Sequence, residues 1–167
     1  MLQKIEKIIG RLVDGVGIIL AVVLLLLVLN VTFDVMMRYL FHSSSVGMQE
    51  VEWHLFSIII LYGVGVALQN EAHVRVDFLY DRMGSKTKAL INICGTLLFL
   101  VPLSLLILFG SFHFVNDAYM INEISEDPGG LPYRWVIKGM IPLAFLFLLV
   151  SATGYVCRNI HQFRSGK

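Results

Sequence analysis

Four stretches of this 167-residue chain hold no Asp, Glu, Lys or Arg: residues 15–33, 53–70, 89–116 and 139–157. The first, second and fourth are close to, and the third exceeds, the roughly 20 residues an α-helix needs to cross a hydrocarbon core of about 30 Å, where backbone polar groups must bond within their own segment. The expectation is an all-α, single integral membrane domain over 1–167, a four-helix bundle with spans at about 13–37, 50–70, 87–116 and 134–157. Composition points the same way, since 57% hydrophobic and only 15% charged residues suit no water-soluble domain. A cleaved leader fits poorly, because the first run is longer than an h-region and no small-residue cleavage pattern follows it.

Charge sets the expected orientation. The segment before the first run (Lys4, Lys7, Arg11), the loop between the second and third (Arg75, Arg82, Lys86, Lys88) and the tail (Arg158, Arg164, Lys167) hold ten of the thirteen Lys and Arg residues. The positive-inside rule then predicts both termini in the cytoplasm. Residues 2–12 place Leu2, Ile5, Ile8, Ile9 and Leu12 on one helical face and Lys4, Lys7 and Arg11 on the other. That pattern suits a short amphipathic helix lying in the bilayer interface, and a basic leader that merely sets topology reads equally well. The third run would span about 42 Å as straight helix, so it must tilt, bend at Pro102 or project into water. Pro142 is expected in the first turn of the fourth helix, where proline is tolerated. Gly63, Gly65 and Ala67 form a small-residue patch that lets helices approach closely. Cys94 and Cys157 are too few for a disulfide framework and read as packing residues. The dispersed basic residues exclude a nucleic-acid partner.

Candidate chemistry gathers at the ends of the runs. Arg38 and Tyr39 close the first helix, while Glu50, Glu52 and Trp53 open the second, so the arginine could pair with either glutamate and fasten helix to helix. His54 and His113 are expected at similar depth, the arrangement of a bis-histidine haem, which makes a haem-bearing anchor of a respiratory complex the alternative function. An oligomeric channel made of this chain alone is a third reading. No nucleophile elbow, phosphate-binding glycine loop or metal-ligand spacing is present, so neither an enzyme nor a cofactor is expected. Nor does any apolar run contain an acid, Lys or Arg that would bind an ion or relay a proton, so the chain reads as a partner of other subunits. Glu123, Glu126 and Asp127 precede a Pro-Gly-Gly turn, with Leu131, Tyr133 and Trp135 after it. This acidic loop with an apolar tip suits contact with another protein, or a turn anchored by interfacial aromatics.

The run Gly63-Val-Gly-Val-Ala67-Leu-Gln-Asn-Glu-Ala-His73-Val-Arg75-Val-Asp77 resembles the signature of the small membrane subunit of tripartite ATP-independent periplasmic (TRAP) transporters. Arg38-Tyr39 and the stretch from Gly129 to Trp135 are also similar to that family, whose four-span length matches the chain from Leu2 to Phe163. One departure concerns the acids, which the family usually places after the tryptophan that opens helix two, whereas Glu50 and Glu52 precede Trp53. The resemblance implies a non-catalytic small permease subunit in the bacterial inner membrane, scaffolding a large TRAP membrane subunit for organic acid uptake. It also implies a periplasmic substrate-binding protein and membrane lipids as partners, with the acidic outer loop as a possible contact for the former. His73, Arg75 and Asp77 would then fix the cytoplasmic loop or meet the large subunit, beside the plainer reading of a solvated loop that sets topology.

Overall fold

The computed structural model describes residues 2–70 and 83–165, and every regular element among them is helical. The chain forms α1 (Leu2–Leu40), α2 (Val46–Gln69), α3 (Ser85–Met120) and α4 (Trp135–Ser165). All four are long and apolar enough to cross a membrane. Within α3, α-helical Ser85–Gly95 and Val101–Met120 flank a wider π-turn at Thr96–Leu100. Pro102 follows that turn, and its ring would crowd the carbonyl four residues earlier in a regular helix. Widening the preceding turn absorbs the clash without breaking α3.

The helices are arranged around α4. It packs against each of the other three, α1 also packs along α2, and α3 makes its main contacts with α4. Half of the most apolar window of α4 is buried, against 6% in α1 and 11% in α2 and α3. Its buried face, with Phe147, Leu148, Ala152 and Tyr155, closes on Leu68 of α2, while Leu100 of α3 packs against the same cluster. The α2–α4 approach is close because Gly65 has no side chain: a Cβ there would stand 2.6 Å from Cε1 of Phe147 and 2.8 Å from Cδ1. Tyr62 completes the seam, its ring 5.8 Å from that of Phe147 and its hydroxyl 3.8 Å from Sδ of Met140.

Side-chain polar bonds register α3 on α4. Asn92 Nδ2 donates to Asn159 Oδ1 at 2.8 Å, and Asn159 Nδ2 donates to the Tyr155 carbonyl at 2.8 Å. Asn159 is fully enclosed. Replacing it with leucine should cost about 1 kcal/mol, the usual worth of an interhelical hydrogen bond in a membrane protein, and loosen the termini-bearing end of α3. The check is amide hydrogen exchange over residues 85–95, which should speed up there and stay unchanged at the opposite end.

Three expectations change in the folded chain. Residues 2–12 are not a separate element but the first turns of α1, since no proline interrupts them. Their apolar face divides: Ile9 presses on Gly154 of α4 and Val13 is fully buried, whereas Ile8 and Leu12 stay exposed. Pro142 lies well inside α4 rather than in its first turn, because α4 already begins at Trp135. Finally, the glycine that mediates close packing is Gly65; a Cβ on Gly63 would meet nothing within 4 Å.

Candidate functional site

The end of the bundle opposite the termini holds most of the residues singled out from the sequence, and a network of bonds orders it. Glu50, one turn into α2, reaches across to the loop between α3 and α4. It accepts hydrogen bonds from the Ser125 hydroxyl and from the Leu131 backbone N–H, the latter at 2.5 Å. The loop can come this close because Gly130 lacks a side chain, a Cβ there lying 2.9 Å from Glu50 Oε1, and because Gly129 takes φ +85°. Backbone bonds from Ser125 N–H to Leu131 and from Arg134 N–H to Glu123 close the loop on itself. Glu123 also accepts from Lys138 Nζ, and Lys138 lies over the Phe114 ring, 4.1 Å from its centroid. Trp135 meets Tyr119 edge-on at 5.4 Å. The loop is therefore a braced structure joining α2, α3 and α4, not a slack connection.

Glu50→Ala should release that brace by leaving the Leu131 N–H and the Ser125 hydroxyl without their shared acceptor. Protease cleavage within residues 123–133 is expected to accelerate several-fold, with helix content by circular dichroism unchanged. Cleavage at the wild-type rate would mean that the Glu123 and Lys138 contacts hold the loop unaided.

Arg38 does not pair with either glutamate. Its Nη2 donates at 2.5 Å to Oδ2 of Asp34, one turn earlier on α1, and Asp34 is only 3% exposed. An i,i+4 partner on the same helix is nearer than any acid across a turn, and the interior position of Asp34 demands a countercharge. Glu52 instead accepts from Asn30 Nδ2 at 3.5 Å, while the same nitrogen donates to the Met48 carbonyl at 3.1 Å. The α1–α2 fastening thus runs through Asn30, which sequence reading missed because an amide inside an apolar run carries no charge signal. Asp34 was missed as a site because it reads as a boundary of that run.

The other expected residues divide by exposure. Tyr39 and Trp53 are exposed near this end, as aromatic-belt residues would be. Glu126, Asp127 and Tyr133 face outward, Leu131 is half-buried beside Gly47, and Ala67 lines a groove between α2 and α3. The two histidines serve different surfaces. His54 lines a recess between α2 and the loop, whereas His113, 84% exposed, is bonded through Nδ1 to Asp117 at 2.8 Å. The haem alternative therefore finds no support, and no cluster of three or more metal-ligating side chains occurs among the described residues. His73, Arg75 and Asp77 lie outside the described residues.

Comparison with known proteins gives a family model, described as the DctQ component of the tripartite ATP-independent periplasmic transporters, that matches residues 27–162. The sialic acid TRAP transporter permease protein SiaT of Haemophilus influenzae (strain 86-028NP) is 26% identical over 80% of this chain, which spans only 20% of SiaT. The ectoine TRAP transporter small permease protein TeaB of Halomonas elongata is 26% identical over 96% of this chain and 83% of its own length. The sialic acid TRAP transporter small permease protein SiaQ of Vibrio cholerae is 24% identical over 68% of this chain and 66% of its own.

Proposed function

Because the chain belongs to the DctQ component family of the tripartite ATP-independent periplasmic transporters, and is thus a small permease subunit of that type, we propose that its work is to brace the large transport subunit in the inner membrane during organic acid uptake. The single observation that carries the bracing role is the packing of the bundle on α4. Phe147, Leu148, Ala152 and Tyr155 of α4 are buried among the helices, while all four helices carry large apolar side chains exposed on their outer faces. A body packed in this way offers rigidity and surface to a partner.

Both termini would face the cytoplasm, in line with the ten basic residues at that end. The braced loop would then face the periplasm, with Glu126, Asp127 and Tyr133 available to a substrate-binding protein. The substrate would be chosen elsewhere in the system, which accords with relatives whose names carry solutes as different as sialic acid and ectoine. The test is reconstitution in liposomes. This chain with its large subunit and binding protein should accumulate the solute, and this chain alone should not. Uptake by the chain alone against a gradient would sink the bracing role.

A further inference from the structure

The loop-bearing end of the bundle exposes apolar side chains beyond the reach of hydrocarbon. Met120 and Ile121 close α3, Ile124 and Tyr133 follow on the two arms of the α3–α4 loop, and each is more than half exposed. Backbone bonds from Arg134 N–H to Glu123 and from Ser125 N–H to Leu131 join the arms, so Ile124 and Tyr133 stand opposite one another across the loop. The uncharged run of α3 ends at Asn116, and the exposed pair His113–Asp117 comes before the patch, with Ile121 one turn, about 6 Å, beyond Asp117. Lys138 of α4 pairs with Glu123 at the same end. An exposed charged pair is costly among acyl chains, so the side chains beyond it meet water. Large apolar side chains grouped in water mark a contact surface for another protein.

The patch is also held in one shape. Asn122 and Tyr133 take φ +48° and +60°, left-handed values that suit asparagine but strain a bulky ring. Tyr133 is kept there from both sides: the Leu131 N–H is bonded to Glu50, the Arg134 N–H to the Glu123 carbonyl, and the Tyr133 carbonyl accepts from the Val136 N–H at 3.0 Å. Such strain persists only where the surroundings enforce it, and an exposed ring fixed in advance loses less entropy when it is bound. Charge narrows the partner. Lys138 is bonded to Glu123 and Arg134 faces the Glu50 charge, whereas Glu126 and Asp127 stand exposed at the tip between the two arms. The outward charge is negative, and it complements a basic rim.

We propose that Met120, Ile121, Ile124 and Tyr133 are the anchor of a docking surface for the soluble solute-binding protein, whose facing surface is apolar with a basic rim; this rests on the loop facing the periplasm, as proposed above. The apolar side chains set how long the two stay together, and Glu126 and Asp127 set how fast they meet. The Glu50 brace serves docking by holding Tyr133 ready.

Binding kinetics of the solute-binding protein on nanodiscs that carry this chain and its large subunit test the assignment. Ile121→Ser with Ile124→Ser should raise the dissociation rate on the order of tenfold, the usual weight of apolar anchors in an interface. Glu126→Gln with Asp127→Asn should instead slow association at low salt and leave dissociation nearly unchanged. Tyr133→Gly separates docking from folding: it relieves the backbone strain, so protease cleavage of the loop should not accelerate, yet dissociation should quicken. Wild-type dissociation in the Ile121 and Ile124 double variant and in Tyr133→Gly would overturn the patch while leaving the proposed partner in place, since the complex still binds it. Capture of no binding protein by the unaltered complex would sink the proposed partner and the patch together. A photo-crosslinking residue in place of Ile121 should capture the binding protein, and capture of the large subunit or of lipid instead would overturn the assignment.

Discussion

Gly65→Leu is expected to prevent stable packing of α2 on α4 and, with it, recovery of the subunit from the membrane in assembled form. The cause is local and steric. Even a methyl group at this position would stand within 2.8 Å of two carbons of the Phe147 ring, a ring that Tyr62 also presses. Phe147 is buried and has little freedom to swing away, so Gly65→Ala alone should cost about 1–3 kcal/mol, the range for an overfilled core. Leucine adds three further carbons to the same contact. The measurement is unfolding in mixed micelles by added denaturing detergent, with Gly63→Ala as the control, because a Cβ there meets nothing within 4 Å. Wild-type stability in Gly65→Ala would mean that the α2–α4 seam yields more readily than its distances imply.

The second large effect belongs to Arg38. Removing it as leucine leaves the Asp34 carboxylate, buried on α1, without its countercharge; the other oxygen of that carboxylate, Oδ1, has no partner among the described residues. Breaking a fully buried pair costs about 3–5 kcal/mol, but the Arg38 side chain is half exposed, so about 2 kcal/mol is the scale to expect. The decisive comparison is the double variant. Arg38→Leu with Asp34→Asn removes the stranded charge and should recover most of the loss, whereas a role for Arg38 in binding a partner or solute would show no recovery. In the assembled transporter, the single variant should lower maximal uptake with apparent affinity unchanged, since assembly and not solute binding is impaired.

These predictions separate what could be read early from what could not. The span count and all-helical character followed from four uncharged runs, because crossing a bilayer imposes length and composition on any chain. The family resemblance rested largely on residues 63–77, and the family match extends it over residues 27–162. Pairing was harder to read. Arg38 found Asp34 on its own helix, Glu50 crossed to a loop 75 to 81 residues away, and Lys138 chose Glu123. Charge pattern shows which partners are available to a residue, but their distances depend on how the helices cross. Asn30 and Asn92, inside apolar runs, and Asn159, just past the end of one, left no sequence signal, since a neutral amide becomes informative only when a second polar group is seen opposite it.

The sequence by itself determined that this chain spans a membrane with four helices, because hydrophobic length is a local property that needs no neighbour to be measured. Only the tertiary structure decided that α4 is the centre, that Gly65 and not Gly63 is the contact, and that the α3–α4 loop is tied to α2. Those outcomes depend on which face each helix turns inward. In a bilayer, inward and outward faces are both apolar, so hydrophobicity cannot mark the difference and close packing must.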